Sequence, residues 1–329
     1  MTASLRETLE THQVVIYFLT ILIAGVGSLI VPTTGLSAFI EPALALMLFL
    51  TFLQVPLAAL RKTLLQVRFL VALALSNFVA VPVLVALILP LAPSDPLVRL
   101  GVLMVLLTPC IDYVVTFSQI GRANSQSLLA ATPMLLASQM LLLPVYLGLF
   151  LGDRAADLVA LGPFLKAFLW LIVVPLLLAA LVQFGARQRT EIRRLKAGLD
   201  RLPVLSTALV LGLVFAGVVP QLGLAAPNAL SVIPIYATFA VAAPAVGWTI
   251  GRLMQLSASD GRAVAFSTAT RNSLVVLPLA FAVPGAMPLL PAVIVAQTLI
   301  ELIASLIYMK LMPVLGSTAR PPASTDKSH

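Results

Sequence analysis

Residues 98–118 read VRLGVLMVLLTPCIDYVVTFS. The run is apolar over the length that a membrane-spanning helix needs, about 20 residues. Its middle is not: Thr108, Pro109, Cys110 and Asp112 interrupt it. Pro109 lacks a backbone donor and tends to break a helix, and a carboxyl group at mid-span is costly. A second apolar run, 263–283, is interrupted in the same way by Ser267-Thr268-Ala269-Thr270-Arg271-Asn272-Ser273. One break carries an acid and the other a base. Two broken helices that cross halfway through a bilayer are the expected outcome.

The rest of the chain agrees with that setting. Of its 329 residues 60% are hydrophobic and only 10% charged, whereas a soluble domain carries roughly 25% charged residues. In lipid only helices and closed barrels satisfy their own backbone. The runs here are long and continuous rather than short and alternating, so the fold class is all-α and polytopic. Apolar runs fall at about 14–32, 37–57, 69–91, 98–118, 127–151, 163–186, 203–220, 229–251, 263–283 and 288–312. They predict about ten spans. The N-terminal polar segment has no strongly basic stretch and no small-residue cleavage site follows the first run, which reads as a retained span.

Charge sets the orientation. With loops numbered from zero at the N-terminus, the odd side holds only Arg99, Arg154 and Lys166, and Arg271 lies inside a span. The remainder of the 20 Lys and Arg fall on the even side. Basic loops stay inside, which predicts both termini in the cytoplasm and a place in the plasma (cytoplasmic, inner) membrane. The net charge of +8 follows from those loops, and nucleic acid is not an expected partner. Ten spans divide as two five-span halves, 1–156 and 157–315. An odd number of spans makes the halves inverted repeats, and spans four and nine are then counterparts. A basic connector, 187–202, follows span six. The tail, 316–329, is rich in Pro and Ser and reads as disordered.

Ionisable groups inside spans are functional candidates by default. Arg271 keeps its charge and needs a carboxylate or a bound anion. Asp112 is its natural partner, whether as a purely structural staple or as part of a coupling site. Glu301, on the last span after Gln297 and Thr298, either carries a proton or is hydrogen-bonded to backbone or a neighbouring helix. Glu41 lies near the outer end of span two, within reach of water. Cys110 is the only thiol, so no disulfide is possible within the chain. A lone buried cysteine usually acts as a small hydrophobe, but beside Thr108 and Pro109 a half-helix N-terminus would favour its thiolate, a ligand for soft partners. Asn77, Gln54 and Gln139 are neutral polar candidates that either join helices or touch substrate. No zinc-protease or phosphate-loop motif occurs. The chain reads as a gradient-driven carrier rather than an enzyme, with no cofactor.

These residues resemble the bile acid–sodium symporter superfamily over roughly residues 12–315. Thr108-Pro109-Cys110 is similar to the arsenical-resistance branch, whose members export arsenite and carry a functional cysteine on span four and a functional glutamate late in the chain. The resemblance implies those roles for Cys110 and Glu301. Thr268, Ala269 and Asn272 resemble the ninth-span pattern of that branch, and Asn77 an asparagine on its third span. The chain also departs from both patterns and looks like a divergent subgroup. Val275 stands where the arsenite exporters have glutamate. Bile acid carriers hold sodium with a Glu-Thr-Gly-x-Gln-Asn stretch, and the comparable residues here begin at Ser267 and put Arg271 in place of glutamine. A fixed guanidinium would repel sodium.

The expected function is export of arsenite or antimonite in exchange for protons. In this reading the substrate site is Cys110, Glu301, Thr108, Asn77 and Asn272, with Cys110 as ligand of the trivalent metalloid. Arg271, Asp112 and Glu301 supply charge and coupling. The alternative is a carrier of a small organic anion, for which Arg271 would be the partner.

Overall fold

The computed structural model describes residues 3–54, 65–110, 114–152, 162, 165, 166, 169–281, 283, 285 and 288–316. Every regular element among them is helical. Helix α1 is Ala3–Ile30 and α2 is Ile40–Leu53. The third span runs as α3, Val67–Leu75, a π turn over Ser76–Ala80, and α4, Val81–Ile88. Next come α5, Pro96–Leu106, α6, Val114–Ile120, and α7, Ser125–Leu151. The second part holds α8, Val174–Gln188, α9, Thr190–Leu199, α10, Pro203–Val218, and α11, Leu222–Ser231. It closes with α12, Ile233–Leu253, α13, Ala258–Ala269, α14, Ser273–Phe281, and α15, Leu289–Leu311.

Among the described residues, seven helical stretches are long and apolar enough to cross a membrane, and an eighth results if α9 and α10, bent by 47° at their junction, count as one. The chain is thus an all-α, multi-pass membrane protein. The pairs α5/α6 and α13/α14 are each too short to cross singly, and the expected ten spans are reached only when each pair makes one crossing. The surface has the polarity that a lipid solvent demands. Leu22, Ile23, Leu29, Leu87, Leu149 and Val241 are all at least 60% exposed, an apolar coat no water-soluble monomer presents on this scale.

The helix ends are written in the sequence. Asp95 caps α5, accepting from the backbone N–H groups of Leu97 (2.9 Å) and Val98 (3.0 Å), with Pro96 in the first turn where no donor is needed. Asn124 caps α7 and Ser257 caps α13. Asn124 also donates to the Asp260 carboxylate at 2.7 Å, which ties the start of α7 to the start of α13.

Packing divides the helices into two groups. Helices α1, α2, α8 and α10 pack on one another, and the segments from α3 to α7 pack with α12 to α15. The groups meet where α2 touches α14 and α10 touches α15. Helix α15 is the centre of the second group: it touches α5, α6, α11, α12 and α14. Some 67% of its apolar window is inside the protein, against 22% for that of α1. Glycines bring α12 against α13. A Cβ on Gly247 would run into the Thr268 side chain, and one on Gly251 would stand 2.9 Å from the Gly261 backbone.

Candidate functional site

The two breaks meet. Residues 108–110, after α5, and 270–272, after α13, lie antiparallel. The Cys110 N–H donates to the Thr270 carbonyl at 3.0 Å, and the Asn272 N–H donates to the Thr108 carbonyl at 2.8 Å. Pro109 and Arg271 face each other between these two bonds. They form the non-hydrogen-bonded pair of an antiparallel ladder, in which neither central residue donates across. A proline therefore fits without loss, and the Arg271 N–H is left to bond elsewhere. Thr108 and Thr270 flank the seam in equivalent ways. Each hydroxyl donates to carbonyls in the last turn of its own helix, Thr108 to Met104 (2.9 Å) and Val105 (3.0 Å), Thr270 to Phe266 (2.8 Å).

Both helices that stop at the seam leave carbonyls without intrahelical donors, at the negative end of the helix dipole. The guanidinium of Arg271 fills that position and is fully buried. Its Nη2 donates to the carbonyls of Ser267 and Thr268, both at 2.7 Å, and to Asn77 Oδ1 at 2.8 Å. Its Nη1 donates to the Leu106 carbonyl at 3.3 Å, and its Cζ lies 5.4 Å from the centre of the Phe239 ring. A cation thus sits against the C-terminal ends of α5 and α13 inside a cage of four oxygens. Asn77 is held in turn, since its amide donates to the Leu73 carbonyl and to Ser267 Oγ, each at 3.0 Å. The π turn at Ser76–Ala80 places it there.

Glu301 meets the break at the Arg271 backbone. Glu301, 2% exposed, accepts from the Arg271 backbone N–H at 2.6 Å and from the Gln297 amide at 2.5 Å, both at Oε2. The bond that the seam leaves unused is thereby made. Thr298, one turn away, donates to Ser273 Oγ at 2.8 Å and fastens α15 to the head of α14. Glu301, Cys110 and Tyr308 all lie close enough to Arg271 to interact with it electrostatically.

A small pocket of about 10 Å³ lies beside Glu301, lined by Leu106, Tyr236, Phe239, Ala240, Ala269, Gln297, Ile300, Glu301 and Tyr308. Among the described residues, Gln297 Oε1, Arg271 Nε and Asn272 Nδ2 are buried polar atoms around the break with no hydrogen-bond partner. The Asn272 carbonyl-amide oxygen, by contrast, caps α14 through the Val275 N–H at 3.3 Å.

The crossing therefore unites six residues expected from sequence: Asn77, Thr108, Cys110, Arg271 and Asn272 lie in or against the seam, and Glu301 bonds to it. Cys110 is 1% exposed and buried in the crossing, not turned to lipid, yet it does not line the cavity. Asp112, the expected partner of Arg271, lies outside the described residues. What the structure gives Arg271 is carbonyl oxygens and an asparagine. Glu41 is exposed in the first turn of α2, Gln54 ends that helix, and Gln139 is buried on α7 with its amide unpaired, none of them at the seam. Sequence reasoning missed Tyr236, Phe239 and Tyr308. The Tyr236 hydroxyl donates to the Val293 carbonyl at 3.2 Å, and that of Tyr308 to the Ala240 carbonyl. Two of the chain's five tyrosines within spans were the available signal.

Comparison with known proteins gives one family. Residues 41–226, more than half of the chain, match the model described as the sodium bile acid symporter family. A search of curated proteins finds no match.

Proposed function

We propose that this chain, which belongs to the sodium bile acid symporter family, is a carrier that exports arsenite or antimonite in exchange for protons and needs no sodium. The observation that carries the reading is the cage around Arg271. Three carbonyl oxygens at the ends of two broken helices, with Asn77 Oδ1 as a fourth, are the kind of site that binds a hard cation, and here a tethered guanidinium occupies it. A second cation a few ångströms away would meet strong repulsion in so dry a place. The driving ion is then the proton, and Glu301 is its carrier. Its carboxylate is held by the Arg271 N–H and the Gln297 amide. Protonation removes the charge that those donors favour and loosens the tie between α15 and the break. Proton binding is coupled in this way to the geometry of the crossing.

Arsenite is largely neutral at pH 7 and needs hydrogen bonds and a soft ligand more than a counter-charge. The cavity beside Glu301 supports that substrate: it is small, and Gln297 Oε1 near it is unpaired. Cys110 is the soft ligand, reaching the metalloid as the two broken segments turn about the seam. The two five-span halves, inverted about the seam with both termini in the cytoplasm, provide alternating access by rocking of one helix group against the other. The test is arsenite accumulation in cells that lack their own exporter, with Cys110→Ala, Cys110→Ser and Glu301→Gln, in sodium and in potassium media. All three variants should lose resistance, and the medium should make no difference. Full resistance in both cysteine variants removes the thiol from the mechanism.

A second reading, transport of a small organic anion, is favoured by the unpaired Nε of Arg271, a donor suited to a carboxylate. It requires that Arg271→Lys and Arg271→Gln abolish uptake of organic acids while Cys110→Ala leaves it unchanged.

A further inference from the structure

Between the last membrane-buried turn of α8 and the first of α10, the chain places a short amphipathic helix, α9. Residues 187–201 carry Arg187, Arg189, Arg193, Arg194, Lys196 and Arg201 against Glu191 and Asp200. Lys196 and Asp200 neutralise each other at 2.7 Å. The five arginines are all exposed. At 100° per residue, Arg193, Arg194 and Ala197 lie on one side of α9, and Ile192, Leu195 and Leu199 on the other.

The apolar side is only partly covered. Ile192 packs on α8 so closely that a Cβ on Gly185 would stand 2.8 Å from its Cδ1, and Leu199 packs against the core. Leu195 remains 57% exposed, in company with Phe184 at 61% and Leu202 at 39%. Phe184 belongs to the lipid-facing end of a spanning helix, so this apolar strip continues from the lipid coat of α8. Arg193 and Arg194 stand on the opposite side of α9, and Arg187, Arg189 and Arg201 flank its ends. Apolar residues that reach the acyl boundary, next to arginines at headgroup level, form the pattern of an interfacial helix.

We infer that α9 and its flanking arginines bind the phosphate headgroups of anionic lipids, and anchor the α8–α10 end of the bundle to the charged leaflet surface. The inference is independent of what the carrier moves and of which leaflet is cytoplasmic. Arginine suits this partner because its planar fork takes phosphate oxygens in pairs. No comparable acidic patch on α9 opposes it, since Glu191 is the one acid there outside the Lys196–Asp200 pair.

The experiment uses the full chain in nanodiscs of phosphatidylcholine doped with phosphatidylglycerol. The lipids that stay bound after exchange into detergent are identified by mass spectrometry. Wild type should retain phosphatidylglycerol in preference to phosphatidylcholine. The triple variant Arg189→Gln, Arg193→Gln, Arg194→Gln should lose about 100-fold of that preference, at about fivefold for each basic residue. The matching Arg→Lys triple should keep most of it, which separates headgroup charge from damage to the fold. Raising salt should weaken retention by wild type without any mutation. Equal retention by wild type and the Gln triple, or loss in the Lys triple as severe as in the Gln triple, overturns the inference. So does displacement of bound phosphatidylglycerol by free glycerol phosphate, which would assign the arginines to a soluble ligand.

Discussion

Replacing Arg271 by Met keeps most of the side-chain length and removes the charge and every side-chain donor. The carbonyls of Leu106, Ser267 and Thr268 and the Asn77 oxygen then lose this partner in a fully buried place. Hydrogen bonds to a charged group are each worth about 1.5–3 kcal/mol, but simple addition overstates the loss. Burying the guanidinium has its own cost, which the variant no longer bears. Removal of one member of a buried charged network destabilises by about 3–5 kcal/mol. At about 2 °C per kcal/mol for a chain of this size, the apparent melting temperature should fall by roughly 6–10 °C. The assay is thermal unfolding of detergent-solubilised protein by intrinsic fluorescence of Trp170 and Trp248. Arg271→Lys should fall between wild type and Met, because one ammonium cannot reach four acceptors fixed around a planar fork. Sodium should leave wild type unchanged and stabilise Arg271→Ala, whose oxygen cage has room for an ion. A fall of less than about 2 °C in Arg271→Met would mean that the guanidinium is not what satisfies those oxygens, and the mechanism built on it would fail with it.

Three further outcomes are expected. Asn77→Ala and Arg271→Met, combined in a double-mutant cycle of melting temperatures, should show coupling of about 0.5–3 kcal/mol, because they share one hydrogen bond; additive effects would place them in separate networks. Gly247→Ala should destabilise by about 1–3 kcal/mol and impair transport, since the new methyl drives α12 off Thr268, while Gly148→Ala on α7, where nothing lies within 4 Å, should be neutral or slightly stabilising. Tyr308→Phe should cost about 1 kcal/mol by leaving the Ala240 carbonyl without its donor, measurable as a small loss in melting temperature with the bundle intact.

The membrane class, the helical content and the crossing of the two interrupted runs could be read from residues alone. A proline, a lone acid and a lone base inside apolar stretches point to little else. The oxygens that surround Arg271 could not be read, and Asp112, its expected partner, lies outside the described residues. A charge invites a search for an opposite charge, and Asp112 is the acid that the matching break supplies. The carbonyls that surround Arg271 have no letter of their own: Leu106 and Ser267 matter for backbone oxygens that any residue would supply. A hydrogen bond between Glu301 and backbone, one of the two outcomes open for that residue, is realised at the Arg271 N–H, a donor set free only because residue 109 forms a pair that uses none. Tyr236, Phe239 and Tyr308 escaped because aromatic residues in an apolar helix look like lipid-facing filler until the path of the chain shows which way they turn. The π turn at Ser76–Ala80 has no composition of its own, and it decides where Asn77 points. Counting by length gives seven or eight spans among the described residues, because it admits only helices that are long enough alone or as a bent pair. A helix cut in two at its middle passes no test designed for whole ones.

The seam at Pro109 and Arg271 also limits how the two broken segments can move. Its pair of hydrogen bonds, Cys110 to Thr270 and Asn272 to Thr108, sits at one point on each segment. A joint of that kind works as a pivot pin. It opposes sliding, because any slip along the chain separates both bonds at once, and it opposes twisting about the pin far less. With proline on one side there is no spare amide to re-form the joint one residue further along, so the register has no neighbouring notch into which it could jump.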